Sequence, residues 1–70
     1  MIGKEEIDIR FSYHAPKLGQ ALSYENIRSM AKDFALELDK LCPDSREKSM
    51  AFTHLDECVM NANASIARRE

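Results

Sequence analysis

Pro43 is the residue that most constrains how this 70-residue chain can fold. The residue before a proline is pushed out of the α-helical region, so a helix that reaches Cys42 must end there. Apolar residues recur at helical spacing on both sides of this point. The linker is too short for anything but an antiparallel pair. The sequence therefore predicts an all-α protein built on an antiparallel helical hairpin.

The first helix is predicted to begin near Leu22 or Ser23, with Ser23 as its N-cap. Asp44 is the predicted N-cap of the second helix, and Glu47 three residues later completes an arrangement similar to a capping box. The apolar stripe of the first helix contains Tyr24, Ile27, Ala31, Phe34, Leu38 and Leu41, with Met30 beside it. The stripe of the second contains Phe52, Leu55, Val59, Ala62 and Ile66.

The N-terminal part is predicted to be an irregular arm over residues 1–20, within a single domain whose hairpin spans 21–70. Ile7, Ile9 and Phe11 alternate with polar residues, which is a short period-two signal. Pro16 and Gly19 indicate that the chain turns before the hairpin.

The size and charge of the chain exclude several classes of protein. A chain this short buries only about 60% of its unfolded surface, and such scaffolds usually need disulfides, a metal or self-association. Cys42 and Cys58 are too few for a secreted disulfide scaffold, and we recognise no signal peptide or membrane span, so we expect a reduced, cytoplasmic protein. A net charge of −2 provides no basic field for duplex nucleic acid.

A second apolar face predicts that copies of the chain associate. Leu36 points away from Phe34 on a helical wheel. On the second helix, a further surface of small and apolar residues comprises Met50, Thr53, Met60, Ala64 and Ala67. Two amphipathic helices need only one buried face each, so the extra face indicates a homo-oligomer.

The segment from Arg10 to Lys17 combines two aromatic rings, a histidine and two cations without helical spacing. This mixture suits a pocket for a flat, anionic ligand. Tyr13 and Phe11 could stack on bases or could anchor the arm to the hairpin. His14 could contact the ligand or cap a turn.

Three arginines on the helices are further candidates. Arg28 lies on the flank of the first stripe and is either a solvated cation or a phosphate-binding guanidinium. Arg46 opposes the dipole of the second helix, which favours a bound anion or an ion pair between subunits. Arg68 falls on the side of Met50 and Ala64 and could line a symmetric assembly.

No catalytic or cofactor motif is recognisable in the sequence. His54, Cys58 and Cys42 could approach one metal ion, but a fourth ligand for zinc is missing. We therefore expect no enzymatic activity, no cofactor and no metal.

Taken in order, four runs resemble a known family. They are FSYHAPK at 11–17, YENIR at 24–28, CPDSREKS at 42–49 and VMNANASIAR at 59–68. The chain from Phe11 onward is similar to small phage proteins built on a helical hairpin, the anti-CBASS and anti-Thoeris sponges. It carries the Tyr-His-Ala-Pro run in place of the longer N-terminal helix of the best-described members.

The resemblance implies a viral counter-defence protein in the cytoplasm of the host bacterium. Such sponges bind cyclic di- and trinucleotide messengers, cGAMP among them, and withhold them from immune effectors without cleaving them. The resemblance also implies a homohexamer of interlocked dimers and trimers, with one class of pocket for dinucleotides and another for trinucleotides.

Carried over by residue, the resemblance implies that Tyr13 stacks on a base and Arg28 meets phosphate. It further implies that Arg46, Thr53 and Arg68 line the trinucleotide pocket. The full set of candidate ligand-binding residues is Phe11, Tyr13, His14, Lys17, Arg28, Arg46, Thr53 and Arg68.

Other functions remain open at this point. Relatives of the hairpin also capture ADP-ribose-derived signals, such as cyclic ADP-ribose isomers. A protein–protein interaction module that uses Leu36, Met50 and Met60 is a further alternative, as is a purely structural oligomer.

Overall fold

The computed structural model describes residues 2–70, which form three helices and no strand. The helices are α1 (Lys4–Phe11), α2 (Gln20–Leu41) and α3 (Arg46–Arg69). Helices α2 and α3 pack against each other as a hairpin, which confirms the predicted all-helical hairpin. The chain measures 44 × 32 × 13 Å, so it is one helix layer thick. None of its described helices combines the length and the apolarity that crossing a membrane requires.

Helices α2 and α3 meet along half-buried apolar residues rather than along a closed core. Within residues 2–70, no hydrophobic side chain is fully buried. The half-buried apolar residues of the hairpin include Ile27, Ala31, Ala35, Leu38, Phe52, Leu55, Val59, Ala62 and Ile66. Apolar grooves of about 550 and 360 Å³ flank this contact, and Ala31, Leu55 and Val59 line both of them. Phe34 and Leu41 of the predicted stripe are largely exposed.

Helix α2 begins earlier than predicted, at Gln20, and its N-cap is Gly19 rather than Ser23. Gly19 has a φ of 86°, in the left-handed region that glycine enters without a steric cost. Its carbonyl accepts a hydrogen bond from the Ser23 amide at 3.4 Å, so Ser23 already belongs to the helix. The turn that Pro16 and Gly19 predict is therefore present at Gly19, and only the helix start was predicted too late.

The side chain of Gln20 joins three segments of the chain. Its amide oxygen accepts a hydrogen bond from the Lys17 backbone at 2.8 Å. Its amide nitrogen donates to the Ile66 carbonyl at 3.2 Å and to the Glu70 carboxylate at 3.1 Å. Gln20 is 3% exposed and is the one buried residue among those that the structure describes. The open end of the hairpin is therefore held together by an amide.

The closed end of the hairpin uses a different cap from the predicted one. Helix α2 ends at Leu41, as predicted from Pro43, but the N-cap of α3 is Ser45 and not Asp44. The Ser45 hydroxyl accepts a hydrogen bond from the Lys48 amide at 3.0 Å, as an N-cap does at the third helical residue. This register leaves Glu47 outside a capping box.

Lys48 binds the two helices together beside the turn. Its ammonium group lies 3.0 Å from the Asp39 carboxylate and 3.1 Å from that of Asp44, and it donates to the Asp39 carbonyl. Its side chain is only 12% exposed. The hydrogen bonds with Asp39 and then Asp44 raise the pKa of Lys48 above its usual value. Asp44 therefore serves as an ion-pair partner rather than a cap.

The predicted irregular arm is wrong for Lys4–Phe11, which form α1. Most of these residues favour helix or are tolerated there, and Glu5 and Glu6 suit the positive end of its dipole. Glu6 and Arg10 form an ion pair of 2.6 Å one turn apart. A window this short with alternating isoleucines fits either period, so the sequence pattern alone misled.

Helix α1 is attached to α3 by polar contacts. The Arg69 guanidinium donates two hydrogen bonds to the Glu6 carboxylate, at 2.6 and 3.0 Å. Arg68 donates to the Arg10 carbonyl at 3.4 Å. No residue of α1 is buried. The position of α1 therefore depends on charge and hydrogen bonding.

Replacing Gln20 by Met should destabilise the protein while keeping the size of the side chain. The substitution leaves the Ile66 carbonyl without its side-chain donor and the Lys17 amide without its acceptor. We expect the free energy of unfolding to fall by about 1–3 kcal/mol, measured by denaturant titration followed by circular dichroism. Glu25→Ala, at an exposed position of the same helix, should change it by less than about 0.5 kcal/mol. Equal values for the two variants would contradict this role.

Acid should release α1 only at very low pH. The hydrogen bonds from Arg69 and then Arg10 lower the pKa of Glu6 from 4.5 to about 2. A carboxylate with a lowered pKa contributes its full stabilisation above the unfolded value, and the contribution is lost as the pH falls through the folded value. We expect an NMR titration of the Glu6 carboxyl group to show a midpoint near 2.

The attachment of α1 to α3 through Glu6 and Arg69 is tested with the matched variants Glu6→Gln and Glu5→Gln. Glu6→Gln should raise the amide hydrogen-exchange rates of α1 at neutral pH because the ion pairs are lost. Glu5 is exposed, and Glu5→Gln removes the same charge from the helix dipole without breaking an ion pair with Arg69, so it should raise those rates much less. A titration midpoint of Glu6 near 4.5, or equal amide hydrogen-exchange rates of α1 in both variants, would contradict the role of the Glu6–Arg69 ion pair.

Candidate functional site

A cavity of about 490 Å³ lies where the arm crosses α2 and α3. This volume falls within the range of small-molecule sites, about 300–1,000 Å³. The lining residues are Arg10, Ser12, Tyr13, His14, Tyr24, Arg28, Asn63, Ala64, Ala67 and Arg68. The cavity therefore brings together four of the eight candidate ligand residues, namely Tyr13, His14, Arg28 and Arg68.

The arm supplies the cavity with an aromatic ring that has no fixed packing partner. Tyr13 is 87% exposed, so it does not anchor the arm within the single chain. Tyr24 of α2 is half-buried and lines the same cavity. An exposed ring beside a cavity provides a surface on which a planar base can stack.

His14 connects the segment that follows α1 to the end of that helix. Its Nε2 lies 2.6 Å from the carbonyl oxygen of Ile9, so Nε2 carries a proton and donates it. The Ile9 carbonyl is one of the last in α1, which lack a partner within the helix. His14 thus caps the helix while its ring lines the cavity. Capping and ligand contact, which the sequence leaves open as alternatives, are compatible here.

The cavity is basic although the chain is acidic. Arg10, Arg28 and Arg68 line it, and its lining contains no Asp or Glu within the described residues, whereas the net charge of the chain is −2. Guanidinium groups provide forked donors that match phosphate oxygens. The arrangement can therefore hold an anion beside an aromatic ring. Arg10 was not among the sequence candidates because its approach depends on the unpredicted helix α1.

Asn63 of α3 is a further cavity residue that the sequence did not indicate. Its amide oxygen is buried and has no hydrogen-bond partner within residues 2–70. A buried acceptor without a donor costs about 1–3 kcal/mol, so such a group is usually satisfied by water or by another molecule. The only sequence signal was its place in the run Asn61-Ala62-Asn63-Ala64.

The other four candidates lie outside this cavity. Phe11 ends α1 and is 83% exposed. The amine of Lys17 donates to the backbone of Glu70, so it holds the end of α3. Thr53 is exposed and donates to the Ser49 carbonyl at 3.1 Å. Arg46 stands at the opposite end of α3 from Arg68, about 33 Å away at 1.5 Å per residue. One chain therefore cannot bring Arg46 and Arg68 into a shared pocket.

In the described part of the chain, no three His, Cys, Asp or Glu side chains form a group that could hold a metal ion. Cys42 is half-buried and Cys58 is exposed, and both are free thiols.

Comparison with known proteins identifies the family of the chain. No curated protein and no solved structure matches the chain significantly. A family model described as the Acb2/Tad1 hairpin domain matches residues 3–67, which includes all three helices almost completely. The resemblance found in the sequence is thereby confirmed. The chain belongs to the Acb2/Tad1 hairpin domain family.

Proposed function

We propose that this protein is a viral sponge that sequesters cyclic di- and trinucleotide immune messengers in the cytoplasm of an infected bacterium. The observation that carries the proposal is the arginine-lined cavity with an exposed tyrosine, in a chain of net charge −2. The Acb2/Tad1 family is associated with sequestering immune signalling nucleotides. A cyclic oligonucleotide consists of planar bases linked by phosphates. Its bases complement the tyrosine of the cavity, and its phosphates complement the arginines.

Binding in this cavity combines stacking with charge neutralisation. Tyr13 stacks on a base, and the Arg28 guanidinium donates to a phosphate oxygen. Arg68 also lines the cavity and supplies further positive charge, whereas Arg10 lines it while paired with Glu6. His14 keeps Nε2 on the Ile9 carbonyl, which leaves Nδ1 for the ligand.

Sequestration needs no chemical step. A sponge acts by mass action, so it must be abundant and must bind the messenger more tightly than the effector does. Sponge-type binding proteins, rather than enzymes, characterise the family. The cavity lining contains no carboxylate within residues 2–70 that could assist His14 as an acid or base. We therefore expect the ligand to remain intact.

Assembly into a homo-oligomer, with a hexamer as the expected form, completes this proposal. The hairpin buries no apolar side chain within the described residues and leaves Leu36, Met50 and Met60 exposed. Tyr13 lines the cavity and is 87% exposed, so a second copy of the chain can cover it. A trinucleotide pocket with Arg46, Thr53 and Arg68 requires more than one chain because of their separation along α3.

Two alternatives use the same surfaces. ADP-ribose-derived signals, such as cyclic ADP-ribose isomers, also contain a base and phosphates and would suit the cavity. Exposed Leu36, Met50 and Met60 favour a protein–protein interaction module if no nucleotide binds.

The nucleotide site is tested by calorimetric titration with cyclic di- and trinucleotides and with cyclic ADP-ribose isomers. Tyr13→Ala should remove stacking of about 1–3 kcal/mol, and Arg28→Ala a charge-assisted hydrogen bond of about 1.5–3 kcal/mol. Each variant should bind a cyclic dinucleotide about tenfold or more weakly. Lys40→Ala removes a cation paired with Glu37 near the turn and should leave binding unchanged.

The same titrations separate the alternatives. Ligand recovered after heating the complex should be intact, and a linear product that accumulates with time would identify an enzyme instead. Arg46→Ala and Arg68→Ala should weaken a cyclic trinucleotide if copies of the chain form a second pocket. Unchanged affinity in the Tyr13 and Arg28 variants would refute the site. If the parent binds no nucleotide, the interaction module becomes the better proposal.

Assembly is tested by sedimentation at micromolar concentration. The parent should sediment as an oligomer, and Met60→Lys should dissociate it, because a charge would enter the apolar contact while helix propensity changes little. Met60 is 59% exposed in the single chain, so the effect should not come from disruption of the hairpin. Ser29→Lys, at an exposed polar position of α2, is the matched control. A parent that sediments at 8.0 kDa would refute self-association.

A further inference from the structure

The unpartnered amide of Asn63 restricts what the cavity can hold. Its oxygen is buried without a donor among the described residues, and its side chain lines the cavity together with Tyr24 and Arg28. The arginines in the lining can satisfy phosphate oxygens. Phosphate oxygens accept hydrogen bonds at neutral pH, so they cannot satisfy the Asn63 oxygen. The missing donor must therefore come from another part of a nucleotide, from water or from a second chain.

An adenine base has the donor and acceptor that complement an asparagine amide. Its exocyclic amine donates to the amide oxygen, and its N7 accepts from the amide nitrogen. A guanine or hypoxanthine base presents two acceptors on the same edge, so it would oppose the asparagine oxygen. The terminal torsion of asparagine is soft, so a partial rotation can present both ends of the amide to the cavity.

We propose that Asn63 is a specificity-determining residue that selects adenine by accepting a hydrogen bond from its amine and donating to N7. This inference rests on the proposed function, because it assigns a base to the nucleotide site. It adds a division of labour within the cavity. Arg28 contributes affinity for any phosphate-linked ligand, whereas Asn63 distinguishes among bases.

The experiment changes the amide and the base separately. The parent, Asn63→Leu and the control Asn26→Leu are titrated with cyclic di-AMP and with cyclic di-IMP, which replaces the adenine amine by a carbonyl. Leucine has a similar volume and removes the buried polar oxygen. Asn26 is exposed on α2 and does not line the cavity. Melting temperature and sedimentation are measured without ligand for all three proteins.

We expect the parent and Asn26→Leu to prefer cyclic di-AMP by roughly tenfold or more, as a two-bond contact between an amide and adenine provides. Asn63→Leu should reduce this preference to less than about threefold. Its melting temperature without ligand should be equal to or higher than that of the parent, because an unpartnered buried oxygen has been removed.

The outcomes distinguish this inference from the proposed function. A parent that binds cyclic di-AMP and cyclic di-IMP equally, or a preference that persists in Asn63→Leu, overturns the role of Asn63 alone. A lower melting temperature or a smaller assembly in Asn63→Leu, with the preference intact, assigns the amide to structure and also overturns it. A parent that binds neither these ligands, nor cyclic trinucleotides, nor cyclic ADP-ribose isomers overturns both.

Discussion

The hydrogen bonds of Gln20 position the start of α2, the preceding turn and the end of α3 relative to one another. Two helices of this length would ordinarily be held by a hydrophobic core, but no apolar side chain is fully buried among residues 2–70. Polar contacts at the two ends of the hairpin set the register of α2 relative to α3 instead. Gln20 does so at the open end and Lys48 at the turn. The half-buried apolar stripe between them supplies attraction but little specificity.

The same arginines that attach the arm also contribute to the cavity. Arg68 donates to the carbonyl of Arg10, and both residues line the cavity. Arg69 holds Glu6, and this ion pair fixes the helix from which Tyr13 and His14 extend. Order in the arm and formation of the site are therefore coupled. Because ion pairs on an exposed surface are screened by salt, ionic strength acts on the site through the arm as well as through the ligand.

The hairpin could be predicted from the sequence because its causes are local and repeated. Pro43 ends one helix, and the two apolar stripes predict the faces along which the helices pack. Helix α1 could not be predicted, since its stability comes partly from Arg69, which is distant in sequence and near in space. The caps were misplaced by one residue or more because neighbouring residues compete for the same role, as Asp44 and Ser45 do.

The candidate site was predictable in part for the same reason. Tyr13 and His14 belong to a segment whose composition suggested a flat, anionic ligand, and Arg28 was a separate candidate for binding phosphate. Arg10 belongs to the segment from Arg10 to Lys17 but was not chosen as a ligand residue, and Asn63 was missed because nothing local marks it. Arg10 reaches the cavity through the fold of the arm, and Asn63 is distinguished only by a buried oxygen without a partner. Burial of a single atom is a property of three-dimensional packing and leaves no pattern in a single sequence.

The 13 Å thickness of the chain has a consequence for how such a protein can change during evolution. Ala31, Leu55 and Val59 line the grooves on both sides of the helix contact, so these three residues belong to two surfaces at once. A thicker domain shields one surface from substitutions made beneath the other. Here a substitution at one of these three positions changes the surface on both sides, so the two surfaces must adapt together. Diversification should therefore concentrate in the arm, which can vary without altering this shared layer.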